Sequence, residues 1–169
     1  IGLPNAGKST LITTVSSARP KIGNYPFTTL TPSLGVVETD HSEPFVVADI
    51  PGLVKGAHKG TGLGTRFLRH IERTRILVHL VDVSVIDLDD PLHGYNTINK
   101  ELAKYNQKLA EKPQIVVLNK IDLPDTRKPA KIFQSAVKGK KVTLISALTG
   151  KGVEDLKSQI VQLLDKSHD

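Results

Sequence analysis

The first residues whose types and spacing could do chemistry are Gly2 to Ser9, which fit the pattern G-x-x-x-x-G-K-S. In such a loop the glycines let backbone N–H groups curl around phosphate oxygens, the lysine adds a positive charge and the serine hydroxyl can ligate Mg²⁺. The alternative is a glycine-rich turn in which Ser9 and Thr10 cap a helix. The candidate phosphate contacts are Gly2, Leu3, Pro4, Asn5, Ala6, Gly7, Lys8, Ser9 and Thr10.

A second candidate stretch, Asp49-Ile50-Pro51-Gly52, closes an apolar segment of strand length. A carboxylate at the end of a strand can hold the water shell of a magnesium ion. Gly52 would let the backbone approach a terminal phosphate closely. On its own this pattern also fits a strand that ends in a Pro-Gly turn, but the preceding phosphate loop favours a nucleotide site.

Base recognition is indicated by Asn119, Lys120 and Asp122, which follow another apolar run. A carboxylate can accept hydrogen bonds from both the ring N–H and the exocyclic amino group of guanine, whereas adenine has no matching pair of donors. Asp122 therefore favours a guanine nucleotide over an adenine nucleotide. Ser146-Ala147-Leu148 could place backbone N–H groups near the guanine carbonyl oxygen, although an ordinary strand-to-loop turn fits it equally well.

Alternating strands and helices must position these residues, and the hydrophobic periodicity predicts such an order. Helices are predicted from Lys8 to Ser17, from Thr65 to Thr74, around Ile98 to Leu109 and from Val153 to Leu164. Strands are predicted at Gly35–Thr39, Phe45–Ile50, Ile76–Val81, Gln114–Leu118 and Val142–Ile145, with a turn at Asp40–Pro44 and no clear pattern at Asp125–Lys131. This order predicts an α/β fold, a mostly parallel sheet with helices on both faces, whose ligands bind at the carboxyl ends of the strands.

Composition limits the remaining possibilities. The 169 residues suffice for one domain, and no apolar run approaches the ~20 residues of a membrane span. With no secretory signal visible, we expect a cytoplasmic protein. The chain has no cysteine, which excludes a disulfide framework, and no methionine, so we expect it to be a piece of a longer protein. A net charge of +6 favours a polyanionic partner such as RNA.

The motifs stand in the order found in small GTP-binding domains, which the chain resembles over its whole length. Asn24 to Pro32 resembles the first switch of the Obg group, and Gly62 to Thr74 resembles the second-switch helix of the bacterial Obg proteins. The segment from Thr97 to Leu102 also resembles the bacterial Obg proteins. The resemblance implies a P-loop NTPase G domain over residues 1–169 that lacks its first strand, with flanking N- and C-terminal domains in the parent protein.

The same resemblance implies roles for individual residues. Ser9 and Thr29 would ligate Mg²⁺, with Asp49 acting through a bound water, although the adjacent hydroxyl of Thr28 is chemically equivalent. Lys8, Thr29 and Gly52 would be the catalytic residues, with the Gly52 N–H donating to the γ-phosphate. The nucleotide contacts outside the phosphate loop would be Phe27, Thr28, Thr29, Asp49, Ile50, Pro51, Gly52, Asn119, Lys120, Asp122, Ser146, Ala147 and Leu148.

Leu53 follows Gly52 at the position where Ras-like proteins have the glutamine that orients the attacking water. An apolar side chain can neither donate nor accept a hydrogen bond, so we expect slow GTP hydrolysis unless a partner, another residue or a monovalent cation assists. Asn5 resembles the loop asparagine that ligates K⁺ in cation-activated G proteins. The alternative is a local hydrogen bond from Asn5 that stabilises the turn.

The resemblance implies a Mg²⁺-dependent GTPase that acts as a switch in large ribosomal subunit assembly and in stress and growth control. Its partners would be GTP, GDP, the large ribosomal subunit and its RNA, with guanine tetraphosphate as a further candidate; we expect a monomer and no DNA partner. Arg66, Arg69 and Arg73 would share one helix face, either binding RNA or simply solvated. The alternatives are an Era-like or HflX-like ribosomal GTPase, an Obg-like ATPase, which Asp122 disfavours, and a nucleotide-dependent scaffold with negligible turnover.

Overall fold

The computed structural model of the chain describes residues 1–19, 21–22, 33–40, 42–49 and 72–166. Most of the two switch segments, and most of the helix predicted from Thr65 to Thr74, lie outside these residues. The candidate residues that fall outside the described part of the chain are Phe27, Thr28, Thr29, Ile50, Pro51, Gly52, Leu53, Arg66 and Arg69.

Strands and helices follow one another along the described residues. In chain order they are α1 Lys8–Val15, β1 Lys21–Ile22, β2 Ser33–Thr39, β3 Ser42–Ala48, β4 Leu77–Asp82, α2 His93–Tyr105, α3 Gln107–Ala110, β5 Gln114–Asn119, α4 Arg127–Ala136, β6 Val142–Leu144 and α5 Val153–Lys166. A short 3₁₀ turn, Val83–Val85, follows β4 directly. None of the described helices has the length and hydropathy needed to cross a bilayer.

A parallel sheet, in the order β4-β5-β6, forms the centre of the fold. The side chains of β5 alternate between two apolar layers. Val117 belongs to the layer that contains Leu11 of α1 and Leu156 of α5, whereas Val116 belongs to the layer that contains Phe133 of α4. Such alternation is expected for a strand buried on both faces. The predicted α/β fold with helices on both faces is therefore confirmed.

The remaining strands form a separate antiparallel sheet in the order β1-β2-β3. Strand β3 begins soon after β2 ends, and parallel neighbours would need a longer crossover between them. Among the described residues no ladder joins β3 to β4, so the described strands form two sheets. The hairpin is joined to the segment that follows α1, because Ser17 donates its N–H to the Val36 carbonyl oxygen at 2.9 Å.

An apolar groove of about 510 Å³ lies between the two sheets. It is lined by consecutive residues of β3 and β4 and by residues of α1 and α5, including Phe45, Val78 and Ile160. At the groove, Ile1 makes hydrogen bonds typical of a strand with β4: its amino group donates to the Val78 carbonyl, and its carbonyl accepts from the Leu80 N–H, both at 2.8 Å. The chain thus enters the phosphate loop alongside β4.

The predicted helical stripe around Ile98 is confirmed, because Ile98, Leu102 and Leu109 are fully buried. The stripe spans two helices instead of one. Asn106 separates α2 from α3, and its side chain accepts hydrogen bonds from the Lys108 and Leu109 N–H groups. An amide at this position caps the second helix while it ends the first.

Two details of the prediction need correction. Pro44, assigned to a turn, lies inside β3, because Thr39 pairs with Ser42 and closes the hairpin earlier. The segment that gave no clear pattern contributes the first half of α4, a helix in which Ala130 and Phe133 are buried. Tertiary burial of these two side chains stabilises a helix that local propensity did not indicate.

Candidate functional site

The phosphate loop folds into a cradle at the start of α1. The Lys8 Nζ bends back over the loop and donates to the carbonyl oxygens of Gly2 and Leu3, both at 3.0 Å. Helix α1 begins after Gly7, and no side chain of the described residues caps it. Its first N–H groups are therefore available to an anion, as is usual where a helix N-terminus binds phosphate. The alternative in which Ser9 and Thr10 cap the helix is wrong, since both lie inside α1.

Two glycines of the loop are required by close contacts. A Cβ atom on Gly2 would lie 2.4 Å from the Leu80 carbonyl oxygen. One on Gly7 would lie 2.3 Å from the Asn119 Nδ2, and the Gly7 φ of +97° already disfavours any other residue. The Asn5 side chain is exposed. The Asn5 backbone is also in the left-handed region, with a φ of 64°, which asparagine tolerates better than most residues. The loop therefore takes its shape from backbone geometry.

Asp49 follows β3 and brings a carboxylate to this loop. Its N–H donates to the Ser33 carbonyl at 3.0 Å, and its Oδ1 is buried without a hydrogen-bond partner among the described residues. Burial lowers the pKa of the nearby Lys8 amine, and the Asp49 carboxylate partly offsets that effect. A buried, unpaired carboxylate oxygen beside a phosphate cradle fits a Mg²⁺ water shell. The described residues hold no cluster of three or more His, Cys, Asp or Glu side chains that could bind a metal by themselves.

Asn119, one of the residues predicted to recognise the base, is hydrogen-bonded to the phosphate loop. Its side chain is buried, and its Nδ2 donates to the Ala6 carbonyl while its Oδ1 accepts from the Ala147 N–H, each at 2.9 Å. Thr14 of α1 adds a third link, because its hydroxyl donates to the Ala147 carbonyl at 2.6 Å. The phosphate loop, α1 and the loop after β6 are thus joined through one amide side chain and one hydroxyl.

The loop after β6 is held largely by its own backbone. The Ser146 N–H donates to the Lys151 carbonyl at 2.9 Å, and the Ala147 N–H is taken by Asn119. Leu148 is 78% exposed. The contacts predicted from Ser146 and Ala147 to a guanine carbonyl oxygen are therefore not pre-formed, and this part of the site stays a prediction.

Lys120 and Asp122 occupy the turn that follows β5. Lys120 has a φ of 71°, and its Nζ lies 2.5 Å from Oδ2 of Asp82 at the end of β4. Burial alone would raise the pKa of the Asp82 carboxyl, but the hydrogen bonds from Lys120 and Ser84 lower it below its ordinary value. Asp122 is exposed, which its predicted role in base recognition requires.

The structure thus brings the phosphate loop together with residues that follow the carboxyl ends of strands, as predicted for such a sheet. Sequence reasoning missed Thr14 and Asp82. Asp82 carried a usable signal, since it ends an apolar strand in the same way as Asn119. Thr14 carried no such signal. Arg73 is exposed, but the helix face predicted for it and its two companions lies outside the described residues.

Most of the chain is similar to known proteins. The family model described as 50S ribosome-binding GTPase matches residues 1–120. GTPase Obg of Desulfosudis oleivorans is 59% identical over 169 residues, which are 100% of this chain and 50% of that protein. GTPase Obg of Desulfatibacillum aliphaticivorans is 58% identical over 156 residues, covering 92% of this chain and 46% of that protein. The chain therefore spans about half the length of these relatives.

Solved structures support the fold at lower identity. The G domain of the T. maritima FeoB iron transporter superposes with a TM-score of 0.70 at 22% identity, covering 96% of this chain and 94% of that chain. Era, in a complex with MgGDPNP and nucleotides 1506–1542 of 16S ribosomal RNA, superposes with a TM-score of 0.65 at 22% identity, covering 96% of this chain and 54% of that chain. At this identity the likeness shows the shared fold alone.

Proposed function

Because the chain belongs to the Obg family of ribosome-binding GTPases, we propose that it forms the GTP-binding domain of a switch that hydrolyses GTP slowly to GDP and phosphate. The observation that carries the proposal is the cradle at the start of α1, where Gly7 leaves the helix N-terminus open and Lys8 folds over it. Asp122 supplies the preference for guanine. The identity to GTPase Obg proteins favours this group over an Era-like or HflX-like protein.

The chemistry proposed is attack of water on the γ-phosphorus of GTP, with GDP as the leaving group. Lys8 and the first N–H groups of α1 would stabilise the negative charge that develops on the phosphate oxygens. Gly52 would donate its N–H to the γ-phosphate, which links the second switch to the presence of that group. Slow turnover follows from Leu53, which cannot orient the attacking water.

Mg²⁺ would supply charge neutralisation on the β- and γ-phosphate oxygens when bound. Ser9 would provide one hydroxyl ligand and Thr29 the second, although Thr28 offers the same chemistry one residue earlier. Asp49 would hold a metal-bound water through Oδ1, which is buried and has no hydrogen-bond partner in the part of the chain that the structure describes. K⁺ is the candidate for a further cation, bound by Asn5, because the loop residue is exposed beside the phosphate cradle.

The large ribosomal subunit and its RNA are the proposed partners. The family's description as 50S ribosome-binding GTPases and the net charge of +6 support an RNA-rich partner. The same proposal includes a role in subunit assembly and a role in growth and stress control. It also includes a cytoplasmic location and a monomeric state. Guanine tetraphosphate carries the guanine and phosphates that this site would recognise, so it is a further proposed ligand.

The expectation that a strand precedes Ile1, with further domains in the parent protein, stays a prediction. The apolar groove between β3 and β4 supports it, because the groove is long enough to be lined by consecutive residues of both strands. An apolar segment in that groove would bury the side chains that line it.

A second candidate function is a scaffold that binds GTP but hardly turns it over, which Leu53 favours. Single-turnover GTP hydrolysis, measured with and without large ribosomal subunits, separates the two. A switch should release phosphate faster when subunits are added, and Lys8→Ala should abolish that release. Tight GTP binding with no release of phosphate in either condition would exclude the proposed enzyme in favour of the scaffold.

A further inference from the structure

Asp82 lies beside the base-recognition residues although no motif marks it. In the parallel ladder between β4 and β5, Asp82 pairs in register with Asn119, the residue that precedes Lys120. The carboxyl ends of both strands therefore reach the same edge of the sheet. A charged side chain at the end of β4 therefore lies next to the turn that follows β5.

Among the described residues, the Asp82 carboxylate accepts hydrogen bonds from two residues. Its Oδ2 accepts from the Lys120 Nζ at 2.5 Å, and its Oδ1 accepts from the N–H and the hydroxyl of Ser84 at 2.9 and 2.6 Å. The Asp82 side chain is only 10% exposed, whereas that of Lys120 is 32% exposed. The carboxylate is therefore held in one orientation by Ser84, and it presents its second oxygen to the lysine.

Lys120 is held in a conformation that its own backbone does not favour. Its φ of 71° lies in the left-handed region, where residues other than glycine, asparagine and aspartate are uncommon. Such a conformation persists when surrounding contacts over-determine it, and it is often found at ligand sites. The ion pair with Asp82 is one such contact, and Asp122 follows two residues later in the same turn.

We propose that Asp82 is a positioning residue for guanine recognition, which acts by fixing Lys120 and with it the turn that carries Asp122. The inference rests on the proposed function, since it concerns the base half of the same nucleotide site. With Lys120 already fixed, binding of the base does not have to order this turn, so less free energy is lost on binding. Asp82 itself does not touch the nucleotide.

A purely structural role is the competing explanation, because Asp82 also caps the 3₁₀ turn Val83–Val85 through Ser84. Two substitutions separate these roles. Asp82→Asn keeps an oxygen that can accept from Ser84 but removes the negative charge that attracts Lys120. Ser84→Ala removes the hydroxyl bond of the cap and leaves the ion pair intact, so it is the matched control.

The test compares binding of GDP and of inorganic pyrophosphate by calorimetry, because pyrophosphate engages the phosphate loop but has no base. Asp82→Asn should weaken GDP binding about tenfold, the equivalent of ~1.4 kcal/mol, with pyrophosphate binding unchanged. Ser84→Ala should bind both as the wild type does. In a double-mutant cycle, Asp82→Asn should cause no further loss in a Lys120→Ala background, since Asp82 acts only through Lys120.

Three results would overturn the inference: wild-type GDP affinity in Asp82→Asn, an equal loss of pyrophosphate binding, or an equal loss in Ser84→Ala. Thermal unfolding of each variant verifies that it is folded. If Asp82→Asn does not fold, Asp82→Glu, which keeps the charge on a longer side chain, should show the same selective loss of GDP binding in weaker form. A wild-type protein that binds no GDP would contradict the proposed function itself, which is a separate outcome.

Discussion

Asn119 and Ala6 lie 113 residues apart in the chain and are joined by a hydrogen bond of 2.9 Å from the Asn119 Nδ2 to the Ala6 carbonyl oxygen. The same amide accepts from the Ala147 N–H. One side chain therefore sets the distance between the loop that would bind phosphate and the loops that would bind the base. A nucleotide must match that distance, so this contact links the two halves of recognition.

Replacing Asn119 by Ala should weaken both the fold and nucleotide binding. The Ala6 carbonyl and the Ala147 N–H would lose their partners in a buried location, at a cost of about 1–3 kcal/mol for each unpaired group. The free energy of unfolding in urea, and GDP binding by calorimetry, measure the two effects. Gln107→Ala is the control, because the hydrogen bond from its side-chain amide to Glu111, at 3.0 Å, is exposed. Equal stability of the two variants would contradict this account of Asn119.

Base preference should change when Asp122 is replaced by Asn. An amide cannot accept from both guanine donors, but it can donate to the additional carbonyl oxygen of xanthine. We expect binding to shift from GDP toward xanthosine diphosphate by at least about a hundredfold, as for a site whose buried polar groups lose their match. Asp125→Asn, which changes another exposed aspartate in the same turn, should leave the preference unaltered. A variant that still prefers GDP as the wild type does would remove the argument for Asp122.

Removal of the Ser9 hydroxyl should reduce the Mg²⁺ dependence of nucleotide binding. Ser9→Ala should require at least roughly tenfold more Mg²⁺ for half-maximal stabilisation of bound GTP, the range found for residues that orient a metal's ligands. Titration of Mg²⁺ against the GTP dissociation rate measures this. Thr13→Ala is the control, because the Thr13 hydroxyl donates within α1 to the Ser9 carbonyl at 3.0 Å. Identical Mg²⁺ curves for Ser9→Ala and the wild type would refute the ligand assignment.

Potassium should accelerate GTP hydrolysis through Asn5. At matched ionic strength we expect a higher rate in KCl than in NaCl for the wild type, and the same low rate in both salts for Asn5→Ala. Asn96→Ala, an exposed asparagine on α2, should keep the response of the wild type. Equal wild-type rates in the two salts would leave Asn5 with a role in the turn alone, and would make the ribosomal subunit the expected source of acceleration.

His79 should make the fold less stable in mild acid. It is buried and stacked on Tyr95 at 4.7 Å between ring centroids, and burial is the main reason that its pKa falls from 6.5 to about 3. Between these two values the unfolded chain binds a proton that the folded chain does not. Stability is therefore fully present above pH 6.5 and declines as the pH falls toward 3, by up to about 1.4 kcal/mol per pH unit inside that window.

Urea unfolding at several pH values between 7.5 and 5 tests this contribution, using His79→Phe to keep an aromatic ring at the position. The variant should lose much of the decline in stability between roughly pH 6.5 and 5, whatever its stability at neutral pH. His93→Phe is the matched control, because His93 is exposed and pairs only with Asp90 in this part of the structure. If His79→Phe retains the full decline, other groups are responsible for it.

Much of the fold was accessible to sequence reasoning because the signals are local. The apolar runs at β4 and β5 predicted buried strands, and the spacing of Ile98, Leu102 and Leu109 predicted the buried stripe. Predictions were less successful where a local pattern was weak. Helix α4 was not predicted at all, since its stability comes from burying Ala130 and Phe133 against the sheet.

Residue type and spacing alone were enough to indicate a phosphate loop and guanine recognition, because each motif carries its chemistry within a few consecutive residues. The tertiary structure decided which distant groups meet. The contacts of Asn119 with Ala6 and of Asp82 with Lys120 depend on the order and register of strands, and local periodicity carries no information about either. Strand order follows from how the whole core packs, so the partners that hold the site together become visible only in the folded chain.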